Sequence, residues 1–152
     1  MKVLSSEELG SLAYQLVNLV AKSRYHKEVK DRVHSRCREL YNFLYYSGCF
    51  STFAFVYSKA GQEKVKEAFK WLTGSLENKE VIEPKGRSED LGYAIYASFL
   101  CYLLKEMETD LKEGGLEEVV KIVTQKETSL IIENQMLEFA RWLKRFAEAL
   151  LR

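Results

Sequence analysis

The sequence predicts an all-α protein, a single compact bundle of six or seven helices that ends in a long amphipathic C-terminal helix. Three observations carry the prediction. From about Thr128 to Leu151, the residues Ile132, Met136, Phe139, Ala140, Leu143, Phe146, Ala147 and Leu150 fall on one face when plotted at about 100° per residue, with Glu138, Arg141, Arg145 and Glu148 opposite. The alternation of apolar and polar residues that marks a half-buried strand occurs nowhere. The chain's 152 residues are 47% hydrophobic and 30% charged with a single proline, a composition that makes residues 1–152 one helical domain and excludes a disordered chain.

The elements follow in order. Ser5 and Glu8 have the spacing of a capping box, and behind them Leu9, Leu12, Ala13, Leu16, Leu19 and Val20 recur at helical spacing, so a first helix runs to about Arg24. Val29, Val33, Cys37, Leu40 and Leu44 set a second helix over about Lys27 to Ser47, and Gly48 supplies the residue that ends it. Phe50, Phe53, Ala54 and Tyr57 mark a short third helix closing near Gly61, and Val65, Ala68, Phe69, Leu72 and Leu76 a fourth. Asn78–Arg87 holds the only proline and no period, which makes it the principal loop. Ser88 is then expected to cap a helix whose first turn carries Glu89 and Asp90. This helix, Leu91 to Leu104, is apolar on every side and belongs at the centre of the bundle. An acidic stretch to Gly114-Gly115 ends it, and a short helix over about Leu116 to Val123 precedes the long terminal one.

Composition narrows the function classes. Twenty-three Lys and Arg against twenty-two Asp and Glu leave a formal charge of +1, so any nucleic-acid site must be local. Cys37, Cys49 and Cys101 are odd in number, far apart and in apolar helical contexts, which predicts free thiols in a reducing cytoplasm. The stretch Met1–Gly10 lacks the apolar run and cleavage site of a secretory signal. Two charge-free stretches, Leu40–Ser58 and Leu91–Leu104, read as core rather than as membrane spans: the first is divided by Gly48 and holds four tyrosines, and the second is too short.

No constellation for catalysis or metal binding emerges. His26 and His34 lie eight residues apart with no HExxH, CxxC or His-Cys cluster, no phosphate-cradling glycine motif is present, and no Ser, Cys or Thr sits in a nucleophile turn. Asp110, Glu113, Glu117 and Glu118 form an acidic group whose neighbours Lys105 and Lys112 favour a solvated surface over a hard-metal site. A small hydrolase using Asp110, Glu113 or His34 would lack an oriented acid-base pair. No cofactor is expected.

Charge geography remains. Lys22, Arg24, Lys27, Lys30, Arg32, Arg36 and Arg38 place seven cations in a window of 17 residues that contains only Glu28 and Asp31. Leu103–Glu118 holds six acids against two lysines. The basic window is either a solubilising face that also complements a helix C-terminus or an edge that tracks phosphates. Only Tyr25 interleaves with its cations, so contact would be with backbone and indifferent to sequence. Arg141, Lys144 and Arg145, flanked by Trp142, form a second cationic group on the last helix.

Two segments carry a family resemblance. They are Ser47-Gly48-Cys49, followed by Phe53-Ala54-Phe55 and Ser58-Lys59, and the terminal Trp142-Leu143-Lys144-Arg145-Phe146-Ala147-Glu148-Ala149-Leu150. With the chain length and the helical plan, they resemble the small subunit of the type III-B CRISPR RNA-silencing effector, the Cmr complex. The resemblance implies a non-catalytic scaffold in antiviral defence whose copies stack beside the guide filament, next to other subunits including the large one, and line the channel where target RNA pairs with guide. It implies that Lys144 and Arg145 contact RNA; Arg141, Lys22, Arg24, Lys27 and Arg36 join them on the charge argument alone. Stacking that does not close needs two different complementary patches. Glu117 and Glu118, facing the basic window of a neighbour, are one candidate, and outward Leu130, Leu137 and Leu151 another. The alternative is a helical protein-protein adaptor with no RNA contact.

Overall fold

A computed structural model describes residues 1–152 as six helices with no strand: α1 (Ser6–Ala21), α2 (Lys27–Ala60), α3 (Gln62–Leu76), α4 (Ser88–Glu106), α5 (Leu116–Val123) and α6 (Ser129–Leu150). α1 starts on the expected capping box. The Ser5 hydroxyl accepts the Glu8 N–H at 3.1 Å and the Glu8 carboxylate accepts the Ser5 N–H at 3.0 Å, so two otherwise unpaired donors are satisfied reciprocally.

The break at Gly48 lies where the sequence puts it; what the structure adds is that no loop separates the two helices, so residues 27–47 and 49–60 meet at a kink as the two limbs of α2. Gly48 takes φ 83° and ψ 175°, a conformation essentially reserved for glycine. The break needs no loop, because its freed backbone groups find partners at once. The Cys49 N–H donates to the Glu133 carboxylate of α6 at 2.8 Å, and the Thr52 hydroxyl donates to the Gly48 carbonyl at 2.8 Å. A correction concerns Ser88, which is the first residue of α4; Arg87 occupies the cap position and makes no side-chain bond to the helix.

Every residue of α4 from Leu91 to Leu104 is buried, as expected of a helix apolar all round. α2 and α3 pack along it, and α6 lies across α1 and α2. The predicted α6 face is inside: Ile132, Met136, Phe139, Ala140, Leu143 and Ala147 are buried, and Phe146 and Leu150 pack partly covered at its edge. Leu151 was expected to point outward and does not; it caps α6 with 5% exposure and joins the core. Leu137 is also half-buried against the core. On α2, Phe50 and Ala54 turn outward while Phe53 and Tyr57 are buried, so the second limb presents a different face from the one the aromatic run suggested. No helix is long and apolar enough to cross a membrane.

The N-terminal segment is held by one side chain. Gln135, 9% exposed on α6, accepts the Leu4 N–H at 2.8 Å and donates its amide to the Leu4 carbonyl at 3.0 Å. Gln135→Leu strands both backbone groups beside a buried leucine and is expected to cost about 1–2 kcal/mol, read as a lower urea midpoint with an unchanged slope.

Candidate nucleic-acid interface

The surface of α6 follows from how its two buried flanks are used. Towards α1, Trp142 lies against Gly10, where a Cβ would come within 3.2 Å of the indole, and Phe146 meets Tyr14 edge-on at 5.5 Å. Towards α2, Glu133 binds the Cys49 N–H, Lys144 sits 5.3 Å from the centre of the Tyr41 ring, and Glu148 accepts a hydrogen bond from His34 Nε2 at 2.7 Å. The hydrogen bond from His34, with the charges of Arg152 and Arg38 nearby, holds the Glu148 carboxyl below the usual carboxylate range.

What remains between these flanks is cationic. Arg141 and Arg145 are exposed, Lys144 is half-buried along its stem, and none of the three pairs with a carboxylate. The Arg145 guanidinium lies 5.5 Å from the Trp142 ring centre, which orders it without neutralising it. Arg38 of α2, exposed and also unpaired, reaches the same area through its proximity to Glu148. Arg141, Lys144 and Arg145 thus lie along one side of α6, with Arg38 of α2 near Glu148 of the same helix, a proximity that sequence spacing alone does not give.

The basic window does not form one edge. Lys22 and Arg24 are exposed and unpaired at the turn between α1 and α2, whereas Lys27 is committed to Asp31 at 3.1 Å. Lys30 donates to the Ala21 carbonyl at 2.9 Å and thereby fills the role of a cation at the α1 C-terminus. Eleven helical residues, about 16 Å of rise, separate Lys27 from Arg38. Arg36 leaves the candidate set: it is 8% exposed, its guanidinium lies 4.4 Å from the Tyr93 ring centre, and it pairs with Glu39 at 3.3 Å.

The acidic candidates divide as well. Glu117 is exposed and pairs only with Lys121 at 3.4 Å. Glu118 is used internally, its carboxylate accepting the N–H groups of Lys112, Glu113, Gly114 and Gly115 at 2.8–3.1 Å, so it is a loop organiser rather than a free surface charge. Leu130 is 72% exposed. It and Ile131 lie just before Glu133, the residue that reaches the α2 break, and there Tyr45, Tyr46 and Phe50 are also exposed. The sequence already sets Leu130 outward; Ile131, Tyr45, Tyr46 and Phe50 are added by the structure, and their one signal in the sequence is that Tyr45 and Tyr46 fall off the stripe of Val33, Cys37, Leu40 and Leu44.

Fold and surface together define an all-helical protein whose chemical assets are unpaired cations on its outside, and nowhere do three His, Cys, Asp or Glu side chains come together. The family model described as CRISPR-associated protein (Cas_Cmr5) matches residues 6–150, and the chain belongs to that family. A curated relative, the CRISPR system CMR subunit Cmr5 of Saccharolobus solfataricus (strain ATCC 35092 / DSM 1617 / JCM 11322 / P2), is 28% identical over 159 residues, covering 99% of this chain and 98% of the relative. The fold matches a chain of the type III-B Cmr-beta complex bound to non-cognate target RNA, solved by cryo-electron microscopy, with a TM-score of 0.75 at 23% identity, covering 98% of this chain and 97% of that one. It also matches a chain of the Cmr-beta complex bound to cognate target RNA and AMPPnP, with a TM-score of 0.72 at 23% identity over 97% and 96% of the two chains.

Proposed function

We propose that this chain is a non-catalytic structural subunit of a type III-B CRISPR (Cmr) ribonucleoprotein effector, working in cytoplasmic antiviral defence. Its copies stack beside the guide filament, next to the large subunit, and touch target RNA paired to guide RNA through ribose-phosphate. The observation that carries this reading is the group Arg141, Lys144 and Arg145 on one side of α6, three cations with no salt-bridge partner, in a chain of this family. A subunit that serves any guide must bind backbone and leave sequence to pairing. Three buried free thiols fit a reducing compartment. Exposed Leu130, Ile131, Tyr45, Tyr46 and Phe50 offer an apolar surface for a neighbouring copy or subunit, and Glu117 is the acidic candidate that remains.

Replacing Lys144 and Arg145 with alanine in the assembled complex tests the RNA contact. Each lost phosphate contact to the paired strands lowers the slope of log affinity against log salt by about 0.9, so the double variant is expected to lower it by about 1.8. An unchanged slope favours a helical adaptor that meets only protein.

A further inference from the structure

A groove of about 910 Å³ runs between α1, the C-terminal turns of α3 and the 78–87 loop. Tyr14, Asn18 and Lys22 form a stripe along its α1 wall, each one helical turn beyond the last, at about 6 Å per step. Arg24 extends that wall and Lys85 faces it from the loop. Lys22, Arg24 and Lys85 have no carboxylate partner, and of the two acids in the loop wall Glu83 accepts the Arg24 N–H at 3.2 Å. Tyr14 is 43% exposed, and its contact with Phe146 is edge-on rather than stacked.

We propose that this groove binds a few unpaired nucleotides of RNA, with a base stacked on Tyr14 and phosphates held by Lys22, Arg24 and Lys85. The inference rests on the RNA-contact reading above and adds a second site of different chemistry. An aromatic ring, a carboxamide and an ammonium in one line answer the three things an unpaired strand presents: a base face, a base edge and a phosphate. A duplex hides its base faces and gives Tyr14 nothing to stack on. An acidic peptide would satisfy the cations but would leave the ring unused. A chain of aromatic contacts links the Tyr14 end of the groove to the terminal cations. Phe146, edge-on to Tyr14, stacks on Trp142 at 5.9 Å with 20° between the planes, and Arg145 lies by Trp142. Tyr14 is therefore the groove residue that these contacts tie to Arg145.

The test uses the full chain at low salt with three probes: fluorescent dodecauridine, an RNA duplex of equal length and a polyglutamate peptide of equal length. Tyr14→Leu keeps an apolar contact with Phe146 while removing the ring. It is expected to weaken dodecauridine binding about tenfold, within the range for one base on one aromatic side chain, and to leave duplex binding and the salt slope unchanged. Tyr14→Trp should retain affinity. Lys22→Ala with Arg24→Ala should lower the dodecauridine slope by about 1.4. The proposal is overturned if wild-type chain does not bind dodecauridine, if Tyr14→Leu leaves its affinity unchanged or weakens the duplex equally, or if polyglutamate binds as tightly. Because the Lys144 and Arg145 experiment reads a separate face in the assembled complex, a lowered slope there with a silent Tyr14 sinks the groove and spares the backbone reading.

Discussion

Gly48→Ala is expected to lower the melting temperature by roughly 5–15 °C, far more than an alanine one residue earlier. At φ 83° and ψ 175°, Gly48 occupies a region that side chains with a Cβ avoid at a cost of about 1–3 kcal/mol. The added methyl would also stand 3.3 Å from Glu133 Oε1, the oxygen that takes the Cys49 N–H. Relieving that crowding moves the carboxylate away from the first unpaired donor of the second limb of α2, so backbone strain and loss of the cap reinforce each other, for about 2–4 kcal/mol in all. Ser47→Ala, exposed and helical beside it, changes neither term and is expected to stay within about 0.5 kcal/mol. Thermal unfolding followed by circular dichroism separates the two. Equal melting temperatures would mean that α2 tolerates an ordinary helical residue at its break.

The same residue shows where sequence reading succeeds and stops. Signals contained within one or two turns were legible: the Ser5–Glu8 box, the bounds of α5 and the buried stripe of α6 all lie where spacing puts them. Gly48 was legible as a break. Whether a break becomes a loop or a kink depends on a carboxylate 84 positions away from Cys49, and no local pattern encodes that distance. Arg36 has the same history: in its own window it is one cation among seven, and Tyr93 on α4 is what draws its guanidinium inside. The surroundings of the α6 cations and the Tyr14 groove were illegible for this reason. Each pairs residues far apart in the chain, Tyr41 with Lys144 and Tyr14 with Phe146, and only the packing of α6 across α1 and α2 makes them neighbours.

Glu118→Gln should destabilise the protein at neutral pH by about 1–2 kcal/mol, whereas Glu117→Gln next to it should do almost nothing. Oε1 of Glu118 accepts the N–H groups of Glu113, Gly114 and Gly115, and Oε2 accepts that of Lys112 at 2.8 Å. A glutamine keeps one acceptor oxygen and turns an N–H₂ group towards a donor, so at least one backbone N–H loses its partner. The loop so organised also supplies the Gly114 carbonyl to the buried Tyr57 hydroxyl at 2.6 Å, tying the 112–115 segment to the second limb of α2. The pH dependence has a definite sign. Partial burial pushes the Glu118 carboxyl up, the four N–H donors more than offset it, and the net position is below the ordinary value of 4.5. A carboxyl depressed in the folded state contributes stability that is fully present above its unfolded pKa of about 4.3 and is lost as pH falls through the lower folded value. The gap between wild type and Glu118→Gln in urea unfolding is therefore expected to be wide at neutral pH and to shrink in acid. This assignment also decides how stacking is probed: charge reversal at Glu118 would dismantle a loop and mimic a lost interface, so Glu117 is the acid to reverse. If Glu118→Gln were as harmless at neutral pH as Glu117→Gln, Tyr57 alone would be holding the segment, and both acids would return to the surface.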